Sequence, residues 1–395
     1  MGNRERKLVH ARKAAASVNF KTPAGLVGDA EYAEMAKIMD MPVKTKDEAW
    51  HWDDRLKVIN YWHGGSRTGF EKGRRVVSHA TDAERYKRLH QSFARLWALG
   101  YRLEEPTNLR AEHIQALVSS WTGQLALQDK TIPKELEPKT IENRLSALRT
   151  LCGWFKKKNV VKPKAFYATE SHPLICTGIT KEDKSWERAD IDYSRVMREA
   201  VTEDPAVAIQ MVAMSAFGLR MKEAVMLDVF EAERIGSLYI TKGTKGRRTR
   251  SVEITNGDQR LALDLIKDFA KTRPGVHHLG SLGLDFTNPR DLLQALNHSY
   301  YIFGKIGITK KTLGVTVHGL RHQFCHELML SLGLIPAVKG GTADQMPKEA
   351  RTRIERIASE ALGHSRPGIT AAYAGSFHRK PEQSFNHKDM DNDPR

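Results

Sequence analysis

Cysteine is scarce: three in 395 residues, Cys152, Cys176 and Cys325, each in a different setting. That excludes a disulfide-stapled scaffold and a Cys-x-x-Cys metal site, and it suits a reducing compartment. Long apolar runs are lacking too. No window approaches ~18 uninterrupted apolar residues, so no membrane span is expected. The first residues, M-G-N-R-E-R-K-L, have no apolar stretch behind their charges, unlike a secretory signal. Arg6 stands where a myristoylated N-terminus needs Ser or Thr. Acidic residues are in deficit, 47 Asp and Glu against 63 Lys and Arg, for a formal net charge of +16. A chain this basic favours a polyanionic partner, and nucleic acid is the commonest one.

The length allows two or three domains, each with its own core, and neither an internal repeat nor a low-complexity tract is evident. Residues 1–75 read least clearly, as an extension of undetermined role. They hold a short helix near 29–39, the aromatic group Trp50, Trp52, Tyr61 and Trp62, and a turn signal in G-G-S-R-T-G from Gly64 to Gly69. From residue 76 to 165 the pattern is helical. Tyr86, Leu89, Phe93, Leu96 and Trp97 recur at steps of three and four, which marks one apolar face. Second and third helices are expected over 111–125 and from about residue 140, the latter closing on Lys156, Lys157 and Lys158. Those lysines suit the negative end of a helix, either simply solvated there or as phosphate contacts. Residues 166–185, with Pro173, Gly178 and mixed charges, read as a linker.

Residues 186–380 read as mostly helical with one small antiparallel sheet, and 381–395 as a tail. The nearly all-apolar stretch 207–217 predicts a buried helix. Two short strands are expected over 238–241 and 251–254. The loop between them holds Lys242, Lys245, Arg247, Arg248 and Arg250, and those beyond Lys242 are candidate contacts to DNA backbone, where each cation adds salt-dependent affinity.

Along this last stretch stand, in order, F-G-L-R-M-K-E around Arg220, T-K-G-T-K around Lys242, H-G-L-R-H from His318 to His322, and L-G-H-S-R-P-G-I-T-A-A-Y from Leu362 to Tyr373. Guanidinium offers paired donors to phosphate oxygens and stays charged, so Arg220 and Arg321 are clamp candidates. Glu223, one turn after Arg220, is placed to orient it. A phenol is almost wholly protonated near neutral pH, so Tyr373 needs cations or a base beside it to act as a nucleophile. Imidazole can donate or accept there.

These four motifs, in this order, resemble the catalytic domain of the tyrosine recombinases, the phage-integrase family. The resemblance is specific over residues 220–373, weaker over 76–165 and absent before residue 76. It implies a mainly α fold with a small antiparallel β-sheet, in which a helical core-binding domain (76–165) precedes the catalytic domain (186–380), the two forming a C-shaped clamp around double-stranded DNA. The implied activity is DNA strand cleavage and rejoining through a 3′-phosphotyrosine on Tyr373. Arg220 and Arg321 would hold the phosphate, His318 would move the tyrosine proton, and His364 would hydrogen-bond a phosphate oxygen. Lys242 would protonate the leaving 5′ oxygen, with Lys245 as a rival. Lys156 and Lys157 would join the hairpin cations on DNA. The resemblance further implies no metal or other cofactor, a homotetramer on paired sites, accessory DNA-bending or directionality proteins, and a bacterial, nucleoid-associated setting in the cytoplasm. Integration or excision of a mobile element is the expected role. A type IB topoisomerase-like relaxing enzyme and a catalytically silent DNA-binding regulator are the alternatives.

Two features sit outside that pattern. His318, His322 and His326 lie at i, i+4 and i+8 with Cys325 adjacent, a spacing that can bind zinc, although the expectation is His318 in a cleft and His322 and His326 in core or hydrogen-bonding roles. The interval from Arg321 to His364 is also longer than the family usually has, the excess falling over 334–349 as an expected surface excursion before a helix at 350–361.

Overall fold

The computed structural model describes residues 29–38, 50–63, 79–125, 135–175, 177–273, 278–281, 291–364 and 366–377. The Gly64–Gly69 turn, Cys176 and the 381–395 tail lie outside the described residues. The chain divides into two compact units, Met1–Cys176 and Thr177–Arg395.

The first unit is helical: α1 (Asp29–Ile38), α2 (Trp52–His63), α3 (His79–Ala98), α4 (Ala111–Trp121) and α5 (Pro138–Trp154). The three-and-four spacing on α3 buries Leu89, Phe93 and Leu96 completely. Ile114, Leu117 and Trp121 of α4 and Leu145 and Leu148 of α5 meet them in one core. The described helices before residue 76 share that core. Trp52 stacks on Phe93 with ring centroids 5.9 Å apart, and Tyr32 donates to the buried Glu105 carboxylate at 2.7 Å. Fully burying side chains of this size stabilises by about 1.5–3 kcal/mol each, so α1 and α2 are integral to the unit. The division between the two units falls within residues 166–185, the stretch expected as a linker, and side chains in it and just beyond it are anchored. Tyr167 and Leu174 are buried in the first core, and Trp186 in the second. Its turn-rich composition concealed those anchors.

The second unit comprises α6 (Tyr193–Glu203), α7 (Pro205–Phe217), α8 (Met221–Val225), α9 (Val229–Ala232), β1 (Glu233–Arg234), β2 (Ser237–Ile240), β3 (Arg250–Glu253), α10 (Gly257–Lys271), α11 (Leu292–Lys305), α12 (Gly319–Ser331), α13 (Lys348–Ala361) and α14 (Ala371–Ala374). α7 is the apolar centre. Asp204 caps it by accepting from the Ala206 and Val207 amides, and Pro205 suits the first helical position. It ends at Gly218, whose φ is +58° and whose added Cβ would lie 2.3 Å from the Phe324 ring. Glycine therefore both turns the chain there and lets α12 pack against the turn. The three strands form one antiparallel sheet in the order β1-β2-β3, with Ile240 opposite Arg250. β1 is only two residues long, too short to declare itself by alternation. The stretch before α13 is a clasped loop. Gln345 accepts from the Ile335 amide at 2.9 Å and donates to the carbonyls of Ile335 (3.0 Å) and Thr342 (2.9 Å).

Candidate active site

Glu223 is the centre around which the cations gather. It stands in the first turn of α8 with no exposed surface. Arg220, at the N-terminal cap of that helix, donates its own amide to Glu223 Oε2 at 2.8 Å and its Nη1 to Oε1 at 2.6 Å. Arg250 Nη2 donates to Oε2 at 2.9 Å, and Arg321 Nη1 lies 3.8 Å from the same oxygen. Burial alone would raise the Glu223 pKa, but Arg250 and Arg220 outweigh it and hold the carboxyl below its usual range. A buried carboxylate with such partners stays ionised and fixes their orientation.

Arg250 corrects an expectation. Read as a DNA-backbone contact, it is buried in the second unit, its guanidinium spent on Glu223, the Gly218 carbonyl (3.2 Å) and the Ala361 carbonyl. The reason is strand alternation: Arg250 and Val252 point inward, Ser251 and Glu253 outward. Removing one partner from a buried pair costs about 3–5 kcal/mol. Arg250→Met should therefore lower unfolding free energy in denaturant titration by an amount near the bottom of that range, since Arg220 still faces Glu223. A variant of unchanged stability that loses only DNA affinity would return Arg250 to the DNA-contact reading.

Arg321, in the first turn of α12, has no exposed surface. Its Nη1 donates to the Gly218 carbonyl, its Nη2 to the Leu362 carbonyl, and its Nε to Tyr373 Oη at 3.2 Å. Arg220 Nη2 also reaches the Leu362 carbonyl, at 3.2 Å, and His364 Nε2, at 3.3 Å. His364 Nε2 in turn lies 3.4 Å from Tyr373 Oη. Donor logic orders this network. Arginine can only donate, so His364 Nε2 presents a lone pair. Arg321 Nε likewise donates to the phenol oxygen, which leaves the phenol hydrogen free to point at His364. Removal of water and the charges of Arg220, Arg321, Lys245 and Arg250 pull the His364 pKa down to about 4. It is therefore neutral at physiological pH, an acceptor beside the hydroxyl.

The structure thus brings Arg220, Arg321, His364 and Tyr373 together. His318 stands at the N-terminal cap of α12 with its ring centroid 6.0 Å from the Tyr373 ring. The imidazole at the hydroxyl is His364, although the resemblance gave that place to His318. The outer side of His318 is exposed, yet loss of water on its packed side, with Arg321, Arg220 and Lys184 nearby, still pulls its pKa down. The zinc spacing has another outcome. Among the described residues no group of three His, Cys, Asp or Glu could hold a metal ion. His326 Nε2 instead lies 2.9 Å from the Tyr373 carbonyl oxygen and His322 Nδ1 3.4 Å from it.

The hairpin lysines divide. Lys242 Nζ is paired with Glu231 Oε2 at 2.6 Å, whereas Lys245 and Arg248 are exposed and Lys245 bears on His364 electrostatically. Gly243 ties the hairpin base to α8. Its φ is +74°, and a Cβ there would sit 2.5 Å from the Lys222 carbonyl oxygen. The Arg247 side chain lies outside the described residues. In the first unit, Lys157 Nζ donates to the Thr107 and Leu109 carbonyls, so its ammonium serves that turn rather than standing free for a phosphate. Lys156 is exposed. Sequence reading missed the roles of Arg250 and of the Gly218 and Leu362 carbonyls. Inward parity on β3 was the one available signal, for Arg250.

Residues 177–327 match the family model described as Integrase, a span that includes Arg220, Lys242, His318 and Arg321 and stops short of His364 and Tyr373. The chain is similar to a lambda integrase dimer bound to a COC′ core site, at 12% identity over 98% of this chain and 91% of that one, with a TM-score of 0.50. It is similar to lambda integrase residues 75–356 bound to DNA, at 12% identity over 84% and 98% of the two chains, also at 0.50. A XerH site-specific recombinase in a post-cleavage complex with palindromic difH substrate aligns at 16% identity over 94% and 91%, with a TM-score of 0.44. At these identities the lambda integrase likeness is one of fold. No curated protein matches the chain by sequence. The family-model match over residues 177–327 and the lambda integrase likeness in fold thus point the same way, toward the integrases.

Proposed function

We propose that this protein is a site-specific DNA recombinase that cuts and rejoins duplex DNA through a 3′-phosphotyrosine on Tyr373, in the service of integrating or excising a mobile element. The observation that carries the reading is the setting of the Tyr373 hydroxyl, 3.2 Å from Arg321 Nε and 3.4 Å from His364 Nε2. In the reaction, the phenol oxygen attacks the scissile phosphorus and its proton passes to His364. The bond from phosphorus to the 5′ oxygen breaks, and Lys242 supplies that oxygen with a proton. Arg220 and Arg321 hold the non-bridging oxygens, whose negative charge grows as the phosphorus becomes pentacoordinate. Donors fixed beforehand by Glu223 and by backbone carbonyls stabilise that charge without reorganising. A 5′ hydroxyl from a second duplex then reverses the chemistry, so the phosphodiester energy is conserved and no nucleotide cofactor is consumed.

The net charge of +16 suits double-stranded DNA as partner. Exchange between two duplexes cuts four strands, which calls for four copies of the chain on paired sites, with accessory DNA-bending or directionality proteins as further partners. No described helix is long and apolar enough to cross a membrane, and the working place proposed is the bacterial nucleoid.

A pool of randomised duplexes, each nicked so that a cleaved end diffuses away, tests the reading. The full chain should yield a denaturant-resistant adduct in which Tyr373 carries a 3′ phosphate and the released strand bears a 5′ hydroxyl. Attachment through a 5′ phosphate or through another residue would overturn it. The duplexes recovered from the adduct, placed in pairs on a plasmid, should give recombinant joints. Relaxed circles alone would point to a topoisomerase.

A further inference from the structure

We infer that His326 is a positioning residue for the nucleophile, setting Tyr373 in place by holding its main-chain carbonyl; the inference rests on Tyr373 being the nucleophile. The helix that carries Tyr373, α14, is four residues long. One helical turn does not hold itself together in water, because nucleation costs more than its hydrogen bonds return. Its place in the fold must come from outside. The Tyr373 carbonyl is buried at the end of that turn and cannot be satisfied by the chain that follows, since Gly375 departs with φ +77° and ψ −173°. A buried carbonyl without a donor is costly.

His326 supplies the donor. It has no exposed surface and reaches the carbonyl oxygen from α12 at 2.9 Å. A carbonyl only accepts, so Nε2 carries the hydrogen. On the ring's other side, Asp183 Oδ1 lies 3.5 Å from Nδ1 and is itself held by the Ser185 amide at 2.8 Å. With the hydrogen on Nε2 the neutral ring turns a lone pair, not a donor, toward that carboxylate, so no hydrogen bond joins them. Asp183 belongs to the first residues of the second unit. From the same segment the Thr180 amide donates to the Ala371 carbonyl at 3.0 Å. Two bonds, from Thr180 and His326, thus fix both ends of the turn that carries the Tyr373 phenol. His322, 3.4 Å from the same carbonyl, is the weaker second contact. His326 touches neither Arg220, His364 nor the hydroxyl in any recorded bond, so its action passes through Tyr373 alone.

The test uses the full chain and, as probe, the duplex recovered as the wild-type covalent adduct. His326→Leu removes the donor, His326→Gln offers an amide N–H about as far out as Nε2, and His326→Asn offers one too short to arrive. Adduct formation at saturating protein should slow about 10²-fold in the Leu and Asn variants, the scale produced by misplacing a reacting group by ~1 Å. The Gln variant should recover most of the rate. DNA affinity should stay near wild type in all three, because no DNA contact is removed. Should the Leu variant fail to fold, the Gln and Asn pair decides alone. Wild-type cleavage rates in the Asn variant, or equal losses in Gln and Asn, would overturn the positioning role while leaving the nucleophile standing. Absence of any adduct on Tyr373 in the wild type would remove the nucleophile, and this proposal with it.

Discussion

Tyr373→Phe should bind DNA and form no adduct. The substitution removes one oxygen from a ring that is 7% exposed and packed 4.9 Å from the His322 ring, so the surrounding packing survives. What is lost is the nucleophile, and single removal of a covalent nucleophile costs on the order of 10⁴–10⁶ in rate. Affinity should change little, since the sequence-independent part of DNA binding rests on Lys and Arg contacts to phosphates. A small drop in stability is expected as well, on the order of 1–3 kcal/mol at most, because Arg321 Nε loses its acceptor in a buried place. Gel analysis under denaturing conditions reads the first effect, and equilibrium binding at matched salt the second. A Phe variant that still forms the adduct would mean that another tyrosine attacks.

The second large effect separates Lys242 from Lys245. An alkoxide needs a proton as it leaves, whereas a thiolate, from a thiol of pKa near ~8.5, scarcely does. Loss of a general acid costs about 10²–10⁴-fold. Replacing the bridging 5′ oxygen by sulfur should restore most of that loss in Lys242→Ala and little in Lys245→Ala, whose defect should lie mainly in binding. Arg220→Ala should not be rescued, because charge on the non-bridging oxygens stays unbalanced. The pairing of Lys242 with Glu231 at 2.6 Å adds a condition: the ammonium must exchange that carboxylate for the leaving oxygen. Rescue of Lys245→Ala alone would reverse the assignment, and rescue of neither would take the hairpin out of the acid role.

Much of this fold was legible in the sequence because its signals are local. The apolar steps on α3 and the nearly all-apolar run of α7 declare helices, and the glycines around Lys242 declare a tight turn. The signature arginines and Tyr373 are legible as motifs. What escaped is what depends on distant partners. Trp50 and Trp52 were compatible with a packing extension but did not say against what, since only Phe93 and its neighbours make sense of them. Arg250 looked like one more hairpin cation, and its inward direction follows from a register that pairs it with Ile240. Lys157 looked like a helix-end cation available to phosphate, and its acceptors lie some fifty residues earlier in the chain. The spacing of His322 and His326 admitted zinc but favoured a core or hydrogen-bonding role without naming the partner, since spacing records which face a residue occupies but not what stands opposite. Here a backbone carbonyl stands there.

The sharing of Glu223 has a thermodynamic consequence. Three guanidinium groups, those of Arg220, Arg250 and Arg321, converge on a single carboxylate, and the neighbouring His364 is neutral. The centre therefore holds more positive charge than it cancels, in a place poorly screened by water. A phosphodiester that enters relieves this repulsion, so occupancy and folding are linked. Any anion bound only by the folded state stabilises it by RT ln(1 + [L]/Kd), about 2.7 kcal/mol at a hundredfold excess over Kd. If the proposed function holds, DNA held at this centre should raise the stability of the second unit, which denaturant titration with and without bound duplex would measure.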